Sequence, residues 1–132
     1  MFGKLKVEKG KFVRTESSFR NWVTKDGSAG PSGDKGFAAE PGRYHLYVSY
    51  ACPWAHRTLI FRALKGLEDI ISVSVVHPLM PSESWVFGEY PGATEDHINH
   101  ARYLYENYLK VDPILMDWLP YPYSGTRGWT PL

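Results

Sequence analysis

The stretch RYHLYVSYACPWAHRTLIFRALKG, residues 43–66, joins a strand pattern directly to a helix pattern. Arg43 to Tyr50 is dense in Tyr and Val and alternates apolar with polar side chains, which predicts a strand. Pro53 to Lys65 has apolar residues at helical spacing and is followed by Gly66, so we predict a helix that ends there. Ile70 to Val76 is rich in β-branched residues and predicts a second strand. Strand, helix and strand in this order favour a βαβ unit with parallel strands.

Cys52, the only cysteine of the chain, lies at the junction of the first strand and the helix. A thiol at a helix N-terminus can have its pKa lowered, because unpaired N–H groups and the helix dipole favour the thiolate. Pro53 suits the first helical position, and His56 and Arg57 add positive potential one turn on. Free cysteines are more often small buried hydrophobes, but this position favours a reactive thiol. Ala55 occupies the place of the second cysteine of a Cys-x-x-Cys pair, so the resolving thiol must come from outside.

Other residues have two interpretations each. Trp54 either lines a substrate cleft or packs, and His56 is either the base of a Cys-His pair or, as we favour, a surface histidine. His97 and His100 have a spacing that suits a metal, but no further ligand lies nearby in the sequence, so we predict no metal site.

Composition excludes several classes of protein. The chain has 132 residues, a net charge of +1 and 43% hydrophobic residues, as expected of one soluble domain without affinity for nucleic acid or for an anionic membrane. One cysteine excludes an internal disulfide, and no apolar run is long enough for a membrane span. We therefore expect a reducing, cytoplasmic location.

The remainder of the chain is less regular. Glu95 to Leu109 predicts a second helix with Thr94 as its N-cap. Its expected buried face consists of Ile98, Ala101, Tyr105, Tyr108 and Leu109, and the expected apolar stripe of the first helix consists of Leu59, Ile60, Ala63 and Leu64.

Several motifs resemble one family. YHLYVSYACPWAHRT at 44–58 is similar to the active-site segment of the xi-class glutathione transferases, the glutathionyl-hydroquinone reductases, and CPWA at 52–55 is specific to that class. FVR at 12–14 and SFRNWV at 18–23 resemble its N-terminal extension. Further similar segments lie at 66–78, 84–87 and 103–110, and the resemblance ends at about residue 113.

The resemblance implies an α/β fold, namely an incomplete thioredoxin-like domain of the kind that opens a glutathione transferase. We accordingly divide the chain into an irregular N-terminal extension at 1–42, a thioredoxin-like βαβα portion at 43–113 and a tail at 114–132. The tail does not match the family, and we expect no regular element in it.

The resemblance also implies a chemistry. Cys52 is the expected nucleophile, which takes the glutathionyl group from a glutathionyl-hydroquinone as a mixed disulfide, and a second glutathione then resolves it. Trp85 matches a residue of the family's glutathione pocket, and Trp54 is expected to line the same site. Glutathione is the expected co-substrate, glutathionylated quinols are the expected partners, and full-length relatives are expected to be homodimers.

The loss of similarity after Pro113 implies a truncated product, since the family's cis-proline strand and helical domain do not follow. We therefore expect impaired activity. Two alternatives stay open: a non-catalytic fragment that binds glutathione or a partner through a sheet edge and the Tyr-rich helix, and a monothiol glutaredoxin-like enzyme that deglutathionylates protein thiols.

Overall fold

The computed structural model describes residues 20–79 and 84–111 in full, and the backbone alone at 7–8, 11–12 and 129–131. Its elements, in chain order, are β1 (Val7–Glu8), β2 (Lys11–Phe12), β3 (Val23–Thr24), β4 (Phe37–Ala38), β5 (Tyr44–Ser49), α1 (Pro53–Leu64), β6 (Ile71–Val76), α2 (Leu104–Val111) and β7 (Trp129–Pro131).

The centre of the fold is the βαβ unit of β5, α1 and β6. The two strands are parallel and in register from the pair Tyr44 and Ile71 to the pair Ser49 and Val76. Strand β7 pairs antiparallel with the other edge of β5, so the sheet order is β6-β5-β7. The predicted βαβ unit is confirmed.

Helix α1 begins at Pro53 as predicted and ends at Leu64, one residue before the predicted end at Lys65. Pro53 occupies its first turn, where a missing N–H is harmless. Gly66 follows with φ +62°, a conformation that favours glycine. Its N–H donates to Ala63 O at 3.0 Å, which closes the end of the helix. The expected apolar stripe is wrong for three of its four residues: Ile60, Ala63 and Leu64 are exposed, and Leu59 is half-buried. The buried residue of α1 is Ala55.

Two apolar clusters lie on opposite faces of β5, because alternate residues of a strand point to opposite sides. One cluster lies toward α1 and contains Tyr44, Leu46, Val48, Cys52, Ala55, Ile71 and Val75. The other, called here the α2-side cluster, contains Tyr47, Val76, Phe87, Ala101 and Leu104, with Trp85 and Tyr108 packed against it. All six residues of β5 are buried, as a central strand requires.

The second helix is shorter than predicted. It begins at Leu104, not Glu95, because the Asp96 carboxylate accepts the N–H groups of Ile98, Asn99 and Ala101 and holds residues 96–101 in turns. Thr94 is not an N-cap. Its hydroxyl instead accepts the N–H of Val75 and so attaches this loop to β6.

The outer segments also differ from the expectation of irregularity. Strands β1 and β2 pair antiparallel, and β3 and β4 pair parallel, each over two residues, within the extension. Within the tail, Trp129–Pro131 forms β7, so the expectation of no regular element is corrected there. Pairing with β5, which no local pattern reveals, supplies the hydrogen bonds of β7. Residues 112–128 lie outside the described part of the chain.

Candidate active site

Cys52 is the N-cap residue of α1, immediately beyond the carboxyl end of β5. Its backbone is extended (φ −91°, ψ 112°), and its carbonyl accepts the N–H of His56 at 3.0 Å. The thiol makes no capping hydrogen bond, so the sulfur is not committed to the helix end. The amide of Cys52 donates to Ser49 O at 3.0 Å, which fixes the turn. The geometry therefore matches the predicted strand–helix junction.

The thiol is also buried. Cys52 is 5% exposed and belongs to the apolar cluster toward α1, in which Ala55 and Val75 lie. Such burial is typical of a cysteine that only packs in an apolar core. The position at a helix N-terminus, in contrast, is typical of a reactive cysteine. An incoming disulfide or thioether must therefore reach the sulfur through a local opening or along the first turn of α1.

Exposed aromatic and cationic groups surround this turn. Tyr50 and Trp54 are 58% and 40% exposed, and the guanidinium carbon of Arg57 lies 4.5 Å from the Trp54 ring centroid, a cation–π contact. Arg57 is thus placed on the indole of Trp54. His56 is exposed, and its contact with Cys52 is through its backbone N–H.

Trp85 lies at the carboxyl end of β6, in a short segment attached on both sides. Phe87 forms an antiparallel bridge with Val76, and the N–H of Leu104 donates to Trp85 O at 2.9 Å. Because β5 and β6 are parallel, their carboxyl ends lie at one edge of the sheet, so this segment and Cys52 are at the same edge. The Trp85 side chain is half-buried against the α2-side cluster.

Tyr108 lies on α2, where the sequence spacing predicts a buried helix face. It packs, like Trp85, against the α2-side cluster. Burial, and in second place the charge of the Cys52 sulfur, raises the pKa of Tyr108 to about 12. The Tyr108 phenol is therefore a neutral group, and the tertiary packing of α2 brings it to this cluster.

The histidine pair does not form a metal site in the described part of the chain. His97 Nδ1 lies 3.2 Å from Ser74 Oγ, and no group of three or more His, Cys, Asp or Glu residues with metal-binding geometry occurs among residues 20–79 and 84–111. Within the same ranges, neither helix has the length and hydropathy needed to cross a bilayer.

Comparison with known proteins places the chain in a family. No protein-family model matches the sequence. Glutathionyl-hydroquinone reductase YqjG of Escherichia coli is 61% identical over 105 residues, which make up 79% of this chain and 32% of that protein. Glutathionyl-hydroquinone reductase PcpF of Sphingobium chlorophenolicum is 50% identical over 104 residues, or 79% of this chain and 30% of that protein.

Solved structures agree. The glutathione-bound structure of YqjG has a TM-score of 0.69 at 61% identity and covers 73% of this chain and 32% of its own. Glutathione S-transferase Xi of Phanerochaete chrysosporium has a TM-score of 0.71 at 51% identity and covers 82% of this chain and 33% of its own. The chain therefore spans about a third of the length of these relatives.

Sequence identity and fold agree over the same part of the chain, which confirms the resemblance seen in the motifs. The chain belongs to the xi-class glutathione transferases, the glutathionyl-hydroquinone reductase family, and corresponds to the incomplete thioredoxin-like part of a full-length member.

Proposed function

We propose that the chain carries the thiol-exchange centre of a glutathione-dependent transferase that reduces glutathionyl-hydroquinones to hydroquinones. The observation that carries the proposal is the position of Cys52. The only cysteine of the sequence lies at the N-cap of α1, and its sulfur makes no capping hydrogen bond. Relatives of this sequence are named for that activity, and one of them has been solved with glutathione bound.

In the first step, the Cys52 thiolate attacks the sulfur of the glutathionyl group. A Cys–S–S–glutathione bond forms and the bond between sulfur and the aryl carbon breaks. The electron pair goes to that carbon, which takes a proton, so the aryl group leaves as the hydroquinone. In the second step, the thiolate of a free glutathione attacks the mixed disulfide, releases Cys52 and forms glutathione disulfide. The net change is replacement of the aryl C–S bond by a C–H bond, with the thioether sulfur and the thiol of one free glutathione oxidised to glutathione disulfide.

An external reductant is required because Ala55 stands where a dithiol enzyme has its second cysteine. The same requirement favours the cytoplasm, where the glutathione pool is kept reduced. Trp85 supplies the proposed wall of the glutathione pocket, because it lies at the same sheet edge as Cys52. Trp54 is proposed to line the entrance, and Pro53, His56 and Arg57 are proposed to favour the anionic sulfur from the first turn of α1.

The first experiment is intact-mass analysis of the chain after incubation with glutathione disulfide. We expect one glutathionyl adduct, which free glutathione removes, and no adduct on Cys52→Ser. Release of hydroquinone from a glutathionyl-hydroquinone in the presence of glutathione then tests the complete cycle. Absence of the adduct in protein shown to be folded contradicts the proposal.

Complete turnover is proposed to be weak in this chain alone. Beside Trp54, the outer side of α1 carries apolar side chains that no described residue covers: Ile60, Phe61 and Leu64 are 45%, 61% and 74% exposed. The mixed-disulfide step uses only residues close to Cys52, whereas release of the aryl group also needs a surface that receives it. We expect adduct formation without efficient release of hydroquinone.

The same exposed surface favours a second candidate, a non-catalytic module that binds a partner through α1. The buried state of Cys52, at 5% exposure, agrees with that alternative. The alternative predicts no glutathionyl adduct, and no change in partner binding by Cys52→Ala. One adduct per chain, removed by glutathione, favours the transferase.

A further inference from the structure

The Asp96 carboxylate is a buried junction of hydrogen bonds. It is 1% exposed and accepts five donors. Oδ1 accepts Tyr47 Oη at 2.9 Å, Ile98 N at 3.0 Å and Asn99 N at 3.1 Å, and Oδ2 accepts Asn107 Nδ2 at 2.8 Å and Ala101 N at 3.2 Å. One side chain thus joins β5, the loop before α2, and α2 itself.

The carboxylate is held as an anion. Burial alone would raise the pKa of Asp96, but hydrogen bonds from Asn107, Asn99, Ile98 and Tyr47 together outweigh burial and lower it to about 2. A buried anion with its acceptor sites filled is costly to displace, because each donor would lose a charged partner. The arrangement therefore fixes α2 against β5.

The residues fixed by Asp96 hold the segment around Trp85, which lies at the same end of the sheet as Cys52. Immediately after Ala101, Arg102 O accepts the N–H of Phe87 at 3.0 Å, and the N–H of Leu104 donates to Trp85 O at 2.9 Å. The backbone around Trp85 is thus attached to the stretch that Asp96 holds at Ala101 and at Asn107.

The packing of Tyr108 depends on the same junction. Tyr108 follows Asn107 on α2, which Asp96 holds through the Asn107 side chain. A movement of α2 away from Asp96 would therefore displace Tyr108 and the backbone that holds Trp85 together. Both aromatic residues pack against the α2-side cluster.

We propose that Asp96 is a positioning residue: through Ala101 and Asn107 it holds the backbone around Trp85 at the end of the sheet where Cys52 lies, and so sets how tightly the site takes a glutathionyl group. The last part of this inference rests on the proposed function. Asp96 itself touches no reacting atom. Its effect is expected on binding of glutathione disulfide more than on the intrinsic reactivity of the thiol.

Three variants separate positioning from general stability. Asp96→Asn removes the charge and the acceptor that Ala101 and Asn107 share. Asn107→Leu detaches α2 from Asp96 and takes one donor from the buried carboxylate, so we expect it to cost about as much stability as Arg62→Ala. It also removes Asn107 Oδ1, a buried acceptor for which the described residues supply no hydrogen-bond partner. Arg62→Ala is the matched control, because Arg62 donates to Ile71 O and Glu68 O at the opposite end of the crossover.

The first readout is the rate of glutathionyl adduct formation on Cys52 as the concentration of glutathione disulfide is varied, with iodoacetamide alkylation measured alongside. We expect Asp96→Asn to raise the half-saturating concentration about tenfold, since hydrogen bonds to a charged group are lost, and to change alkylation much less. Asn107→Leu is expected to raise the half-saturating concentration in the same way, in a protein whose melting temperature falls about as far as that of Arg62→Ala. Arg62→Ala is expected to lower the melting temperature and leave half-saturation unchanged. Equal half-saturation in wild type, Asp96→Asn and Asn107→Leu overturns the proposal.

The second readout needs no glutathione and is amide hydrogen exchange in the 132-residue chain. Asp96→Asn and Asn107→Leu are expected to accelerate exchange at Phe87 and Leu104, while Val48 in the central strand and Ile71, whose N–H donates to Leu67 O, keep their protection. If wild type shows no saturable adduct, the proposed function fails, and the exchange data still decide the positioning role. Exchange that rises equally at all four amides, or at none, overturns that role.

Discussion

The hydroxyl of Tyr47 donates to Oδ1 of Asp96 at 2.9 Å and joins the middle of β5 to a loop 49 residues later in the sequence. The same hydroxyl accepts a hydrogen bond from Asn99 Nδ2 at 3.3 Å. Both Tyr47 and Asp96 are almost fully buried, at 3% and 1% exposure. The contact therefore holds the stretch that precedes α2 against the central strand of the sheet.

Removing this hydroxyl is expected to be costly. Tyr47→Phe should lower the free energy of unfolding by about 2 kcal/mol, because a buried carboxylate loses one donor. Tyr44→Phe is the matched control, since the Tyr44 hydroxyl donates to a neutral acceptor, Ala38 O, and its loss should cost about 1 kcal/mol. Denaturant unfolding measures both values. If Tyr44→Phe lowers the free energy of unfolding as much as Tyr47→Phe does, the negative charge of Asp96 does not strengthen the Tyr47 hydrogen bond.

Acid should destabilise the protein through Asp96. The folded-state pKa of about 2 lies below the ordinary value of 3.8, so the unfolded chain binds the proton more tightly. Its contribution, about 2 kcal/mol, is complete above roughly pH 5 and is lost as the pH falls toward 2. Unfolding measured from pH 6 to 2 in wild type and Asp96→Asn tests this, because the variant should be less stable at pH 6 and lose less on acidification.

His45 should begin acid destabilisation at higher pH. It is fully buried, and its ring nitrogens lie 2.6 Å from Ser72 Oγ and 2.9 Å from Ser74 Oγ. Burial lowers the pKa of His45, with Asp96 opposing and His97 adding to the shift. Since the unfolded chain binds the proton more tightly, stability is complete above about pH 6.5 and falls as the pH drops below it.

The matched variant for this histidine is His45→Gln, which keeps a hydrogen-bonding side chain and removes the titration. We expect its free energy of unfolding to be flat between pH 7 and about 5.5, where only the wild type declines. Equal slopes in the two proteins would show that another group titrates in this range.

The sequence was sufficient for the βαβ unit, because strand alternation from Tyr44 to Ser49 and the Pro53 and Gly66 boundaries of α1 are local signals. It was insufficient for the Asp96 loop. Helical spacing continues through that loop, yet the partners of its carboxylate come from Tyr47 on β5 and Asn107 on α2. The packing of Tyr108 with Trp85 against one cluster is likewise tertiary, so helical spacing does not predict it.

Arg62 should stabilise the crossover through backbone carbonyls more than through its ion pair. Its Nε donates to Ile71 O and one terminal nitrogen to Glu68 O, each at 2.7 Å, whereas the Glu68 carboxylate is 3.9 Å away and 62% exposed. Arg62→Met should therefore cost about 2 kcal/mol of unfolding free energy, and Glu68→Gln less than about 0.5 kcal/mol. Comparable losses in both variants would assign the effect to the ion pair instead.

Cys52→Ser separates the chemical role of the sulfur from its structural role. The residue has N-cap geometry but makes no capping hydrogen bond, and a serine hydroxyl there can accept the N–H of Ala55. Serine should therefore be about 1 kcal/mol more stable than Cys52→Ala, although burial of the hydroxyl offsets part of that gain. Both variants should form no glutathionyl adduct. Thermal unfolding and intact mass measure the two effects on the same samples. An adduct on either variant would exclude Cys52 as the nucleophile. A serine variant no more stable than the alanine variant would show that a serine hydroxyl at position 52 does not cap α1.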